Sequence, residues 1–403
     1  MGHGAAILLA LVSAGALSCA GPSARTPARE TTSEKAPRHR TVDPTAFGWQ
    51  ASTESPRAPS AEPFDAELAE LCGRREGALD AVADWLARSE HPEVAPDVAA
   101  IAYQLRKQGS PYVWPRAWTL SGPGAIEIAR ERLPDWAASI TDQGERRCGV
   151  TSLSTARGRS VVVAVGSDVL ADLRPLPTLV ASGTWLDVEA KLLVEATDAK
   201  VLVLGPTGRP FAVPTSRDAE RVRARFRADR GGVWLTQVLA TVAGGPRPVA
   251  EALVHADVDP APDYSAASVP GELSAASAAD APAALLAMIN AARATEGARS
   301  LRLDPRLSRV AEEHARAMRA ARRIAHDLSE GNPAERVAKA GIQARATGEN
   351  VAHAADPLRA HRALWSSPSH RENLLLERFS AVGVGVAEDE DGSVWVCEIF
   401  AEL

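Results

Sequence analysis

The sequence predicts an α+β protein built from more than one domain. Its 403 residues exceed the length of one ordinary domain, and an apolar content of 45% is enough for several cores. Apolar residues recur with helical spacing in residues 63–165 and again after residue 281, whereas residues 166–256 alternate between apolar and polar positions as strands do. We therefore expect an all-β domain between two domains that contain helices.

Changes in composition divide the chain into segments. Two stretches rich in Pro, Ser, Thr and Ala have no apolar periodicity, which is typical of linkers. The predicted segments are a signal peptide at 1–19, a disordered linker at 20–62, an N-terminal α+β domain at 63–165, an all-β Ig-like sandwich at 166–256, a second linker at 257–280 and a C-terminal domain at 281–403.

The first residues have the pattern of an export signal. Residues 5–17 are largely apolar but too short to span a bilayer, and small residues follow them. Cys19 at this point resembles a bacterial lipobox, in which the thiol is acylated after cleavage; the alternative is an ordinary cleaved signal with an incidental cysteine. We expect an exported chain, either an outer-membrane or cell-surface lipoprotein that contacts the membrane only through a lipid anchor at Cys19, or a secreted protein.

Charge and cysteine content narrow the function classes further. A net charge of −6 and a pI of about 5.9 argue against nucleic-acid binding, which needs a basic face. Export permits disulfides, and Cys72 with Cys148 is the favoured pair because both lie in the N-terminal region. Cys397 lies in the apolar run VWVCEIF, which predicts a buried free thiol rather than a nucleophile.

Elements of the first two domains follow from their periodicity. In the N-terminal domain we expect helices at 79–86, 98–105 and 125–139, and then a hairpin formed by RCGVTSL and SVVVAVG. In the second domain, strands such as WLDVEAKLLVEA and VWLTQVLATV are separated by the turn signals PTGRP, DRGG and GGPRP. This spacing indicates a β-sandwich.

Helix starts in the C-terminal domain carry capping residues followed by proline. Asp280 precedes Pro282, Asp304 precedes Pro305, and Ser367 precedes Pro368. Two more helices are expected at 333–340 and 357–365.

Five of the nine histidines fall between His314 and His370. His314 lies on the apolar stripe of a helix, which predicts a core histidine with one satisfied hydrogen bond. His326 follows that helix in a loop, and His370 falls in the first turn of the helix after Ser367, where the helix dipole favours a neutral imidazole. With Glu349 between them, these two histidines are the candidate chemical site, and Glu349 is the candidate catalytic residue.

Several motifs of this region together resemble a known family. IAH, GENVA, WSSPSHRENLL and FSAVGVGVAEDEDGSVWVCEIF, in this order, resemble the CAP superfamily of cysteine-rich secretory proteins, antigen 5 and pathogenesis-related proteins, in its bacterial form. The resemblance covers residues 281–403 and implies an α-β-α sandwich with a cleft lined by His326, Glu349 and His370. Asn350 and Arg371 lie beside them in the same motifs, and we assign both to the ligand-binding cleft as well. No position matches the second cleft glutamate of eukaryotic members.

The N-terminal domain has weaker echoes of the same pattern. The segment from Trp136 to Ser139 echoes that from Trp365 to Pro368, and apolar strands follow in both halves. We interpret residues 63–165 as a degenerate CAP-like copy without GEN or SPxH segments, and therefore without the site.

Three functions remain open at this point. The first is an envelope-attached binding protein that takes a peptide, lipid or glycan in the cleft, with or without a divalent metal such as zinc at His326 and His370. The second is a metal-assisted, peptidase-like hydrolase that uses the same cleft with Glu349 as base or third ligand. The third is a spacer protein whose CAP-like domain has only a packing role. A serine mechanism at Ser366, Ser367 or Ser369 is disfavoured because capping explains Ser367.

Overall fold

The computed structural model describes residues 63–92, 97–140, 143–154 and 160–403. The predicted signal peptide, Cys19 and the linker at 20–62 lie outside the described residues. Within the described ranges, none of the helices has the length and apolar character needed to cross a membrane.

The N-terminal domain is a four-stranded sheet between two layers of helices. Strand β1 pairs with β3 in parallel, and the sheet order is β1-β3-β4-β2. Helices α1 and α4 pack on one face, and α2 and α3 pack on the other. The elements are α1 (Pro63–Cys72), β1 (Arg74–Arg75), α2 (Gly77–Ala87), α3 (Val98–Lys107), β2 (Arg116–Gly122), α4 (Ala125–Ala138), β3 (Glu145–Ser154) and β4 (Ser160–Val169).

Residues 171–256 form two packed sheets around one apolar core that contains Trp234 and Phe226. The strands are β5 (Ala171–Leu173), β6 (Leu179–Val180), β7 (Thr184–Leu192), β8 (Asp198–Leu204), β9 (Phe211–Val213), β10 (Thr215–Asp218), β11 (Arg221–Ala228), β12 (Gly232–Val242) and β13 (Gly245–Ala256). One sheet has the order β10-β11-β7-β5 and the other β6-β13-β12-β8-β9. The β-sandwich is therefore present, and its Ig-like character stays a prediction.

The boundary between these two domains differs from the predicted one at residue 165. Strand β4 stays paired with β3 as far as Val169, which lies opposite Glu145. Ser167 and Asp168 interrupt the apolar run of β4, but both are buried and hydrogen-bonded, so the strand continues through them.

The C-terminal domain is again a four-stranded sheet between helices, with the order β14-β16-β17-β15. Its elements are α5 (Ala281–Thr295), β14 (Arg302–Leu303), α6 (Pro305–Ala321), α7 (Pro333–Lys339), β15 (Ala346–Ala354), α8 (Pro357–Ser366), α9 (Pro368–Leu375), β16 (Ala381–Glu388) and β17 (Val394–Glu402). Helices α6 and α7 cover one face, and α5, α8 and α9 cover the other. The α+β class and the three layers are those the sequence predicts.

Two predicted helix starts are confirmed in detail. The side chain of Asp280 accepts a hydrogen bond from the backbone N–H of Ala283 at the start of α5. Asp304 does the same for Arg306 and Leu307 at the start of α6. In both helices proline occupies the first turn, where its missing N–H costs no hydrogen bond.

The predicted linker at 257–280 is held against its neighbours. Tyr264 packs against the ring of Tyr103 on α3. Glu272, in a short 3-10 turn, forms a bidentate salt bridge with Arg362 on α8. Its composition correctly predicts the lack of long helices and strands. The two tyrosines and the ion pair supply the contacts that order it.

The two sheet-and-helix domains share one topology. In each, a two-residue strand precedes a helix and pairs in parallel with the first strand of a C-terminal hairpin. A glycine of that strand lies directly against the helix backbone. A Cβ atom on Gly149 would lie 2.0 Å from the backbone N of Asp80, and one on Gly383 would lie 2.1 Å from the backbone C of Leu307. Only glycine allows helix and sheet to approach so closely.

Hydrogen bonds beside these glycines also correspond. The N–H of Val150 donates to the side chain of Asp80 at 3.0 Å, and the N–H of Val384 donates to Ser308 Oγ at 3.3 Å. The glycine, the following valine and the polar helix residue thus occupy matching places in both domains.

A disulfide joins Cys72 at the end of α1 to Cys148 in β3, with Cα atoms 5.9 Å apart. This is the pair that the sequence predicts. It ties α1 to the sheet across 76 residues of sequence. Cys397 is buried and forms no disulfide with any cysteine that the structure describes.

Candidate functional site

His326 and Glu349 meet at the edge of the C-terminal sheet. Glu349 lies on β15, the edge strand, and His326 lies in the loop between α6 and α7. The Nδ1 atom of His326 is 2.8 Å from Oε1 of Glu349. The loop therefore delivers one imidazole directly onto the carboxylate, as the sequence motifs lead us to expect.

Glu349 is a buried carboxylate with several donors, and its side chain is only 1% exposed. Arg336 on α7 donates to Oε2, and the Cys397 thiol lies 3.3 Å from the same oxygen. Burial would raise the pKa of Glu349, but the His326 hydrogen bond and the charges of His326 and Arg336 outweigh it and lower this pKa. Glu349 is therefore an ionised anchor with both oxygens occupied.

Cys397 contributes a donor rather than a nucleophile. Burial, followed by the negative charge of Glu349, raises the pKa of its thiol well above the usual range. A thiol held in its protonated form is unreactive, which agrees with the prediction for this residue.

His314 is fully buried, as predicted, but it has more partners than predicted. Its Nδ1 lies 2.6 Å from Oε1 of Glu330, and its Nε2 lies 2.9 Å from the carbonyl oxygen of Ala325. Nε2 is also 3.8 Å from Oε1 of Glu349. The predicted core histidine thus packs directly behind the Glu349 carboxylate.

His370 lies on the first turn of α9, which packs on the face of the sheet opposite α6 and α7. It is 8% exposed, and its buried Nδ1 atom has no hydrogen-bond partner among the described residues. Burial, with a smaller effect of the charge of His326, lowers the pKa of His370 to about 3. The imidazole is neutral near pH 7 as predicted, although burial is the main cause.

Asn350 is placed under the site rather than in it. Its Nδ2 donates to the carbonyl oxygen of His370 at 3.2 Å and to Oε2 of Glu398 at 3.1 Å, while its Oδ1 accepts from Nδ2 of Asn373. These bonds use both amide hydrogens and the oxygen. Asn350 therefore ties α9 to the sheet. Its amide is already occupied, although the sequence motifs assign Asn350 to the ligand-binding cleft.

Glu398 is the buried acid that sequence reasoning missed. It lies on β17 directly opposite Asn350 and is fully buried. Its Oε1 has no partner in the described part of the chain, and burial raises its pKa to about 7. The available signal was a single charge inside the apolar run VWVCEIF.

Arg371 is not brought to His326 and Glu349. Its guanidinium stacks on the ring of Trp365 at 4.0 Å and lies 3.3 Å from Glu296 at the end of α5. The next residue after His370 on a helix points about 100° away, so the two side chains serve different faces. The guanidinium is therefore engaged by Trp365 and Glu296, and the assignment of Arg371 to the cleft stays a prediction.

Ser367 does not cap α9 with its own side chain, contrary to expectation. Its hydroxyl lies 3.3 Å from Nε2 of Gln237 and 3.3 Å from Oγ of Ser369. The N–H of Ser369 is instead accepted by Oε1 of Gln237 at 3.0 Å, so a residue of the β-sandwich supplies the cap. The Ser367 hydroxyl is thus engaged by Gln237 and Ser369 rather than by the backbone of its own helix.

The side chains do not fit a metal centre that uses Glu349 as a ligand. Both of its oxygens already receive donors, and Nδ1 of His326 is directed at one of them. In the ranges that the structure describes, no group of three or more His, Cys, Asp and Glu side chains could hold a metal ion.

Comparison with known proteins supports the family assignment. The family model of the cysteine-rich secretory protein family, CAP, matches residues 286–399. An uncharacterized protein of Bacillus subtilis, YkwD, is 31% identical over 110 residues, which span 27% of this chain and 42% of that relative.

Two solved bacterial proteins are among the structures to which this chain is similar. An outer surface protein of Borrelia burgdorferi is 26% identical, with 29% of this chain and 89% of that chain covered and a TM-score of 0.28. An extracellular protein of Bacillus anthracis that contains an SCP domain is 17% identical, with 54% and 82% covered and a TM-score of 0.29. From the family match and the motifs that carry it, we conclude that the C-terminal part of this chain is a CAP domain of the cysteine-rich secretory protein family.

Proposed function

We propose that this chain is an exported CAP-domain protein that binds a peptide, lipid or glycan of the cell envelope at His326 and His370. The proposal rests on one observation: the carboxylate of Glu349 is buried and both of its oxygens already have hydrogen-bond partners. Because this carboxylate is buried and occupied, it holds Nδ1 of His326 and leaves Nε2 for an external partner. His370 adds a neutral imidazole. Two positioned imidazoles without an accessible carboxylate to act with them as base suit binding better than turnover.

Location outside the cytoplasm is part of the same proposal. The family is one of secretory proteins, and residues 5–17 have the pattern of an export signal. We propose that the mature chain is either anchored through a lipid on Cys19 or released. Mass spectrometry of the mature N-terminus distinguishes a diacylated Cys19 from simple cleavage.

The N-terminal domain is proposed to be a CAP-like copy that has lost the site. Gly166 on β4 lies opposite both Cys148 and Arg116, just as Phe400 on β17 lies opposite Val382 and Gly348. With Cys148 matched to Val382, the residue after Arg116 takes the place of Glu349. That residue is Ala117, which has no carboxylate.

The binding proposal predicts that both imidazoles contribute to affinity. We expect His326→Ala and His370→Ala each to weaken retention of the full chain on envelope material about tenfold, which corresponds to about 1.4 kcal/mol. The measurement is co-sedimentation with three probes: phospholipid vesicles, purified peptidoglycan and immobilised unfolded peptide. The probe that retains the wild-type chain identifies the ligand class.

His353→Ala is the matched control for this experiment. His353 lies on β15 like Glu349, but its ring stacks on Trp395 and its Nε2 contacts Ser393. We expect this variant to bind as the wild type does. Equal affinity of all four proteins for every probe would contradict the proposal.

A metal-assisted hydrolase at the same histidines is the alternative proposal. Its support is that Nδ1 of the buried His370 has no hydrogen-bond partner among the described residues, as expected of a nitrogen that is free to bind an ion. Against it, Glu349 would have to release Arg336 before acting as ligand or base. We expect elemental analysis of the purified chain to find zinc below stoichiometric amounts. One equivalent of zinc that is lost in the His326→Ala, His370→Ala double variant would favour the hydrolase.

A further inference from the structure

The turn between β12 and β13 of the sandwich touches the loop that carries His326. The carbonyl oxygen of Gly244 accepts the backbone N–H groups of His326 and Asp327, each at 3.2 Å. Gly245 also packs against this loop, because a Cβ atom there would lie 2.9 Å from Cβ of His326. Both glycines have positive φ, 94° and 103°. This glycine conformation lets the backbone of the turn lie directly against the loop that carries His326.

The same strand reaches the helix that carries His370. Gln237 on β12 is fully buried, and its Oε1 accepts the N–H of Ser369 while its Nε2 donates to Ser367. Because the first N–H groups of a helix have no partner within the helix, this side chain completes the start of α9. Gln237 is therefore a positioning residue for His370.

The N-terminal domain contacts the sandwich next to Gln237 and at the β12–β13 turn. The second acceptor for Nε2 of Gln237 is Oε1 of Glu251 at 2.7 Å, and buried Arg106 on α3 donates to the other oxygen of Glu251. Gln143 of the N-terminal domain donates to the carbonyl of Ala243 in the β12–β13 turn. A continuous polar chain thus runs from α3 through the sandwich to α9.

Ion pairs also join the sandwich to α9 and to the residues just after it. Lys200 on β8 lies 2.9 Å from Glu372 on α9, and Arg209 lies 2.7 Å from Glu377 just after α9. Arg209 also donates to the carbonyl of Glu296 at 3.1 Å. The sandwich therefore holds the His326 loop and the His370 helix at once.

We infer that the β-sandwich is the second wall of the binding site, and that Gln237, Gly244 and Gly245 hold the His370 helix and the His326 loop against this wall. The ligand part of this inference rests on the proposed function, whereas the wall does not. His326 and His370 are only 17% and 8% exposed beside this wall. Such a site admits a slender, extended ligand segment and excludes a folded protein surface.

Amide exchange of the full chain tests the wall without any ligand. The N–H groups of His326, Asp327 and Ser369 all donate to acceptors in the sandwich, so their protection reports closure. We expect all three to be protected in the wild type. In Lys200→Glu, Arg209→Glu they should exchange about tenfold faster, because two attractions become repulsions.

Two further variants make this test decisive. Adding Glu372→Lys and Glu377→Lys restores opposite charges and is expected to restore protection. Amides of the β16–β17 hairpin serve as internal controls for folding and should stay protected throughout. Two results would overturn the inference: exchange of the three wild-type amides as fast as unprotected loop amides, or unchanged exchange after Gln237→Ala is added to the charge reversal. Neither result bears on the binding proposal, which is tested by His326→Ala and His370→Ala.

Discussion

Arg336→Met is expected to lower the free energy of unfolding by about 3–5 kcal/mol, the largest effect of any single change proposed for this chain. The guanidinium donates to Glu349 and also to the carbonyl oxygen of His326 at 2.7 Å. Methionine can fill much of the volume but leaves an ionised carboxylate buried without its main countercharge. Urea unfolding at pH 7, compared with the wild type, measures the difference.

Two further variants distinguish charge from packing in this result. Adding Glu349→Gln to Arg336→Met removes the stranded charge, so part of the lost stability should return. The control is Arg359→Met, which breaks the ion pair of Arg359 with Asp356 at the exposed start of α8. Such a surface pair contributes about 1 kcal/mol or less. Equal losses in Arg336→Met and Arg359→Met would show that Glu349 is not an ionised anchor.

Glu398→Gln is expected to stabilise the chain more at pH 8 than at pH 5, by about 2–3 kcal/mol. Burial raises the pKa of Glu398 to about 7, so the folded state keeps a proton that the unfolded state releases from a pKa of 4.5. The stability that protonated Glu398 contributes is therefore fully present below about pH 4.5 and is lost as pH rises through about 7. Glutamine stays neutral and escapes this loss.

Urea unfolding of both proteins at pH 5 and pH 8 measures this difference. Glu388→Gln is the control, because Glu388 is exposed at the end of the neighbouring strand β16. We expect the control to change little at either pH. If Glu398→Gln has the same effect at both pH values, Glu398 ionises in the folded state as freely as it does in the unfolded chain.

The protonation states of Glu349 and Glu398 limit the chemistry that is available to the CAP domain. Glu349 is held as an anion by Arg336, and Glu398 holds its proton until about pH 7 behind Asn350. Glu349 contacts the ring of His326 directly, and Glu398 is linked to the backbone carbonyl of His370 through the amide of Asn350. Neither carboxyl group is then free to meet a ligand, which leaves His326 and His370 as the groups on which the binding proposal rests.

Much of the architecture follows from local sequence. Aspartate followed by proline marks the starts of α5 and α6, and alternation in residues 166–256 predicts the strands of the sandwich. The motifs around His326, Glu349 and His370 identify the CAP domain. Each of these signals depends on residues within a few positions of one another, so the sequence displays it directly.

What the sequence does not predict depends on partners that are distant along the chain. Arg336, Cys397 and His314 surround Glu349 from three different elements, and Gln237 reaches α9 from another domain. No spacing rule relates such positions. Whether Glu349 is an accessible base or an occupied anchor depends on burial and on these donors, and both arise only when strands, helices and domains pack together.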